Sequence, residues 1–271
     1  MLIPGICSVT FKANTPEQVL HFVVENRLQA IEWWGADHVP AGDVATARRI
    51  GKLTRQAGVA VSSYGSYYRT AVSEEQGAPF SAVLDSAEAL GAATIRVWAG
   101  NVNFEKAEKD FVARVVDDTL RIADLAQQRG LSITFEFHGG TLTNSNSNAQ
   151  CFAALVAHPN VFISWQPPHG FALQHCIDGL NGLLPRLSTL HVYHWTIGSY
   201  KKNLFNESRR ELKYPEDYHR HPLKDGRDRW IAYLALARTS GRDHYALLEF
   251  VKDDAIAQAK EDAAELVALC R

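Results

Sequence analysis

In this chain, residues able to hold a cation or move a proton stand at the ends of apolar runs. ITFEFHG sets Glu136 and His138 two residues apart, VFISWQPPHG stops on Gln166 with His169 just beyond, LHVYHW carries His191 and His194, and YALLEF ends on Glu249. Glu32 in AIEWW and Arg96 in ATIRVW interrupt otherwise apolar stretches. A charge in such a place is costly unless it is paired or coordinated to a cation. Glu136, His191 and Glu249, with the amide oxygen of Gln166, make a mixed oxygen and nitrogen donor set. It suits Mn²⁺, Mg²⁺, Co²⁺ or Zn²⁺, and the absence of thiolate argues against a structural zinc site. A cation so held polarises carbonyl and hydroxyl oxygens, while carboxylates beside it can take up and return protons. The chain has no local HExxH motif, so the set exists only if the fold assembles it. The same groups could instead form internal ion pairs, with Arg96 and the histidines as partners of the two glutamates.

The elements that must position these residues alternate from end to end. Strand-like LIPGICSV, AIEWW, VAVSSYG, ATIRVWAG, LSITFEFHG, VFISWQ, LSTLHVYHW and YALLEFV are separated by helix-like segments. Thr15 and Gln18 form a capping-box pattern with Pro16 in the first turn, and Gly58 suits the position after a helix end. Eight such units without a hairpin signal, and near-continuous apolar strands, predict a parallel sheet buried on both faces and closed as a single (β/α)8 TIM barrel over residues 1–271. A doubly wound open sheet would call for a Gly-rich GxGxxG turn after strand one, and none is present. In a barrel the chemistry sits at the C-terminal strand ends, where the residues above fall. Pro167 and Pro168 cannot donate to a ladder and so end strand six at Gln166. Trp33, Trp34, Trp98, Trp165 and Trp195 fall at the same ends, either walling a sugar-sized pocket or packing in the core. Residues 197–225 form a long polar connection after strand seven, the kind that serves as a lid or binding loop. Its Lys201 and Lys202 could receive a phosphate or be ordinary solvated charges.

Composition narrows the classes. The 271 residues are 46% hydrophobic and 21% charged with a formal net charge of −2, so no global field favours nucleic acid or an anionic membrane. Cys7, Cys151, Cys176 and Cys270 are widely spaced and form no CxxC pair, as expected in a reducing compartment. The N-terminal residues read as a first strand rather than a leader, and no stretch approaches the roughly 18 apolar residues of a membrane span. The expectation is a cytoplasmic protein acting on a small molecule, with a homo-oligomer possible.

The segments AIEWWGADHVPAGD, ATIRVWAG, ITFEFHGGTLTNS, ISWQPPHG, TLHVYHW and YALLEFVKDD resemble the xylose isomerase-like TIM-barrel superfamily over essentially the whole chain. That group contains sugar isomerases, ketose 3-epimerases, inosose dehydratases and endonuclease-IV-type enzymes. In the epimerase branch a Glu, an Asp, a His and a Glu at strands five to eight hold the metal; the resemblance places them on Glu136, Gln166, His191 and Glu249. His169 falls on a substrate-contacting His, with His138 and Arg96 as further substrate-binding candidates. Gln166 departs from the pattern: an amide replaces a carboxylate, which lowers metal affinity and leaves more of the cation's charge to act on substrate. The endonuclease branch fits less well, for want of its additional ligands and of a basic DNA-binding face. The resemblance implies a metal-dependent isomerase or epimerase of a sugar, sugar phosphate or polyol, with Glu136 and Glu249 exchanging the proton. A metal-dependent dehydratase and a sugar-binding barrel without turnover are the alternatives.

Overall fold

A computed structural model describes residues 1–197 and 218–271. The sheet is a closed barrel built from β1 (Leu2–Cys7), β2 (Ala30–Trp34), β3 (Ala60–Arg69), β4 (Thr94–Trp98), β5 (Ser132–Glu136), β6 (Val161–Trp165), β7 (Leu187–Val192) and β10 (His244–Leu248). Each strand pairs parallel with its neighbour, and β10 closes the ring against β1. Between them run α1 (Pro16–Glu25), α2 (Val44–Gln56), α3 (Phe80–Leu90), α4 (Lys109–Gln128), α5 (Asn146–Leu155), α6 (Leu173–Leu183) and α7 (Arg227–Arg238), and α8 (Ile256–Cys270) follows β10. The expected (β/α)8 barrel is therefore the fold. Among the described residues no helix is long and apolar enough to cross a membrane.

Local chemistry explains the boundaries. At α1, Gln18 N–H donates to Thr15 Oγ1 at 3.4 Å and Thr15 N–H donates back to Gln18 Oε1 at 2.9 Å, a reciprocal cap that satisfies two orphan donors. Strand seven is shorter than LSTLHVYHW suggests. The chain leaves the barrel at Tyr193, and β8 (His194–Ile197) pairs antiparallel with β9 (Tyr218–His221) as a separate ribbon. Polar HWTI and YHRH satisfy their backbone groups on each other rather than on the barrel. Lys201 and Lys202 lie outside the described residues.

Alternation along each strand divides two environments. One residue set, including Ile6, Ile31, Trp33, Ile95, Phe135 and Leu190, packs in the main apolar core. The alternate set faces the barrel interior, where a smaller cluster gathers Cys7, Ala30, Trp34 and Leu247. Register carries this second set around the ring: Cys7 beside Glu32, Glu32 beside Ser63, Gly65 beside Arg96, and His191 beside Leu247. The odd-even rule also sorts the tryptophans. Trp33 and Trp165 are fully buried and tied to Thr54 and Asn146 by their indole N–H groups, whereas Trp34 and Trp98 belong to the other face, at the mouth, and Trp195 lies on the ribbon outside the barrel sheet.

At the start of β10, His244 is only 2% exposed. Its Nδ1–H donates to Ser188 O at 2.9 Å and its Nε2 accepts from Ser240 Oγ at 2.7 Å. Burial pushes its pKa below the ordinary value, outweighing the Ser188 carbonyl. A depressed histidine contributes stability that is complete above its unfolded pKa and is lost as pH falls through the folded one. The Tm should therefore fall between pH 7.5 and 5, and His244→Gln, whose amide takes no proton, should show a shallower fall. Thermal unfolding at the two pH values checks this; equal slopes in both proteins would remove His244 as a source.

Candidate metal centre and active site

Glu136 is the last residue of β5, His191 lies in β7, and Glu249 follows β10 directly. All three are buried, and one ligand atom from each lies within 4.8 Å of the others. His191 Nδ1 is 3.3 Å from Glu249 Oε2, close to the ~3.4 Å that separates two donors sharing a tetrahedral ion with bonds of about 2.1 Å. The backbone turns sharply here: Glu249 N–H donates to Val192 O at 3.0 Å, and Phe250 adopts the left-handed region at φ 50. A non-glycine residue so held commonly marks a place where tertiary structure dictates the backbone.

Gln166 follows β6, two residues after Ser164, which pairs in register with Glu136, so it lies on the same side of the sheet as Glu136. Its amide nitrogen donates to Phe137 O at 2.6 Å, which fixes the amide plane. Its Oε1 is buried without a hydrogen-bond partner. A buried oxygen left unpaired costs about 1–3 kcal/mol. A buried, unpaired amide oxygen on the Glu136 side of the sheet fits the donor chemistry of an oxygen-preferring divalent cation.

Arg96 underlies the carboxylates. Its Nε donates to Glu32 Oε1 at 2.8 Å and its Nη1 donates to Glu136 Oε2, with all three side chains at most 6% exposed. Ser63 Oγ donates to Glu32 Oε2 at 2.7 Å, and Trp98 Nε1 donates to Glu136 Oε2. Gly65 makes room for this bridge. A Cβ there would stand 2.8 Å from Arg96 Nη2 and 2.9 Å from Glu32 Oε1. Burial pushes the Glu136 carboxyl up, but Arg96, then His138 and His191, hold it below its ordinary value. For Glu32 burial acts the same way, and Arg96 and His191 overcome it. For His191 burial favours the neutral ring, while Cys7 and then Glu249 raise its pKa well above the usual range.

Around the mouth the remaining candidates stack on aromatics. His138 lies on Trp98 with ring centroids 4.9 Å apart and planes at 16°, and Arg69 covers the indole at 3.8 Å. His169 stacks on Trp195 of the ribbon at 5.0 Å and 10°. Burial lowers the His169 pKa to about 4, with the charge of His138 acting in the same direction. His194 lies on the ribbon, 5.5 Å from the His221 ring, away from the carboxylate group.

The structure thus brings together Glu136, His191 and Glu249, puts Gln166 on the Glu136 side of the sheet, spends two donors of Arg96 on Glu32 and Glu136, and holds His138 and His169 on aromatic plates at the rim. Sequence reasoning gave no role to Glu32, although it bore the same signal, a charge inside an apolar strand. It also gave none to Cys7, whose burial is ordinary for a cysteine.

Residues 20–270 match the family model described as xylose isomerase-like TIM barrel. The chain belongs to that family. Solved structures with the xylose isomerase-like architecture overlie nearly its full length. The probable 3-DHS dehydratase AsbF, involved in petrobactin synthesis in Bacillus anthracis, is 19% identical with a TM-score of 0.76, covering 98% of this chain and 99% of that one. A D-psicose 3-epimerase solved in the presence of D-fructose is also 19% identical, with a TM-score of 0.68 and coverage of 98% and 97%. The IolI protein with a bound zinc atom is 14% identical, with a TM-score of 0.68 and coverage of 99% and 95%. At these identities the likeness is one of fold. No curated protein matches the sequence.

Proposed function

We propose that this chain is a divalent-metal-dependent enzyme that moves a proton on carbon next to the carbonyl of a sugar or related polyol, as an isomerase or epimerase. The observation that carries this reading is the meeting of Glu136, His191 and Glu249, from three separate strands, within one 4.8 Å group. These residues, with Gln166, would hold the cation. When bound, the metal supplies Lewis-acid polarisation of the substrate's carbonyl and hydroxyl oxygens. The epimerase and dehydratase names among the structural neighbours are consistent with chemistry next to a carbonyl.

The two glutamates differ in what already engages them. Glu136 Oε2 accepts from both Arg96 and Trp98, which weakens it as a base and commits it to an anionic, fixed geometry. Glu249 contacts the His191 ring and is the stronger candidate for removing the proton. Glu136 would return it on the opposite face through Oε1. His169 and His138 would orient hydroxyl groups, their rings held by Trp195 and Trp98. The unequal engagement also favours a second reading: a dehydratase, in which one carboxylate suffices as base and a rim histidine protonates the leaving hydroxyl.

The test is to load the protein with Mn²⁺ and incubate a panel of ketoses and polyols in D₂O. Deuterium entering next to the carbonyl supports the isomerase or epimerase; water loss yielding a conjugated carbonyl supports the dehydratase. Failure to bind any divalent cation overturns both and leaves a sugar-binding barrel.

Gln166→Asp should tighten Mn²⁺ binding by tenfold or more, because a third ligand carboxylate adds a full negative charge to the site. Calorimetric titration checks this. Unchanged affinity would place the 166 side chain outside the coordination sphere.

A further inference from the structure

A second group of donors shares His191 with the first. Cys7 closes β1, Glu32 lies beside it in register on β2, and ligand atoms of Cys7, Glu32 and His191 also fall within 4.8 Å of one another, all buried. The imidazole therefore has two occupied sides. Nδ1 faces Glu249, while Nε2 lies 3.9 Å from Glu32 Oε2, beyond hydrogen-bond reach. That Nε2 has no hydrogen-bond partner although the residue is only 1% exposed. An unpaired ring nitrogen sealed in a barrel beside a thiol and a carboxylate is costly as it stands.

We infer that Cys7, Glu32 and His191 form a site for one thiophilic divalent cation, such as Zn²⁺, Co²⁺ or Cd²⁺, which shares only His191 with the oxygen-rich set of Glu136, Gln166, His191 and Glu249. Thiolate, imidazole and carboxylate at about 2.0–2.3 Å are a donor set that tetrahedral zinc and its substitutes accept. Oxygen and nitrogen donors on one such ion stand ~3.4 Å apart, so closing the 3.9 Å gap between Glu32 and His191 asks for roughly half an ångström. Glu32 is held in place for this by Arg96 on Oε1 and Ser63 on Oε2, and each carboxylate oxygen retains a further lone pair. Binding is a proton exchange: the Cys7 S–H bond and the His191 Nε2–H bond break, S–metal and N–metal bonds form, and both protons leave to solvent. No oxidant or reductant is involved.

The shared ring makes the two sites rivals. A neutral imidazole offers one lone pair, so an ion held through Nε2 leaves the proton on Nδ1 and removes the nitrogen donor from the Glu136–Glu249 side. A thiophilic cation should therefore weaken Mn²⁺ binding without contacting the Mn²⁺ carboxylates.

The experiment is a Co²⁺ titration read in the near ultraviolet, where thiolate-to-cobalt charge transfer absorbs, and it involves no substrate. It is run on the wild-type chain and on a variant in which Cys151, Cys176 and Cys270 are Ser and Cys7 alone remains. Both should develop the band with an endpoint at one equivalent. Cys7→Ser should abolish it, and Glu136→Gln should retain it. No band in the wild-type chain at saturating Co²⁺, a band that survives Cys7→Ser, or a band lost in Glu136→Gln would each overturn the inference.

Discussion

Replacing Glu249 with Gln is expected to cut turnover by about 10²–10⁴-fold, the usual contribution of a positioned general base. The substitution keeps the side chain's volume and still presents an oxygen, as Gln166 does. What it removes is the negative charge and the ability to accept a proton. Glu249 faces His191 Nδ1 at 3.3 Å and is 6% exposed, so the amide should fit without opening the barrel. Two readings of one variant separate its roles. Metal content reports Glu249 as a ligand, and deuterium exchange per bound metal reports it as a base. Exchange at the wild-type rate per metal would remove Glu249 from the reaction while leaving the metal site intact. Glu249→Asp keeps the charge but withdraws it by one methylene, and should recover part of the metal binding and little of the rate.

The second large effect concerns stability. Arg96→Met leaves Glu32 and Glu136 buried without their guanidinium, and breaking a buried pair by removing one partner costs about 3–5 kcal/mol. In a chain of this size that is a fall in Tm on the order of 10 °C. Arg96→Lys should recover only part of it, because a point charge cannot serve two carboxylates in the forked geometry that Nε and Nη1 provide. Saturating Mn²⁺ should then raise the Tm of the variant more than that of the wild-type protein, since the cation meets a carboxylate that lost its counter-charge. Differential scanning calorimetry with and without metal decides. Equal increments in both proteins would mean that Arg96 and the cation do not act on the same charge.

Much of this molecule could be read from its sequence because one rule governs both fold and site. Apolar runs separated by capped amphipathic segments specify the eight strands, and polar residues closing those runs specify the rim. Glu136, His191 and Glu249 were found in this way and do converge. Less legible was anything that depends on which side a partner stands. Arg96 was open to substrate or to ion pairing, and only the order of the ring, with β5 directly beside β4 and β2 one strand beyond β3, shows two of its donors spent on Glu32 and Glu136. Trp33, Trp34, Trp98 and Trp165 looked alike until odd and even positions were assigned to opposite faces, and Trp195 left the barrel with the ribbon. The end of strand seven was misread because LSTLHVYHW is a plausible continuous strand, and β9, with which its last residues pair as part of β8, begins 21 residues after β8 ends. Cys7 gave no signal, since a buried cysteine in an apolar strand is what a core ordinarily contains.

The odd-even division of each strand has a consequence for how such a chain can change. In β7, His191 lies between Leu190 and Val192, both in the apolar core, and in β5 Glu136 lies between Phe135 and Phe137. A deletion of one residue within either strand would exchange the two tracks, sending a histidine or carboxylate among the helices and a valine or phenylalanine to the mouth. Deleting two residues keeps the tracks aligned and moves only the depth. Insertions and deletions in these strands should therefore be tolerated, if at all, in even steps, and the donors at the mouth share their phase with the packing that keeps the barrel closed.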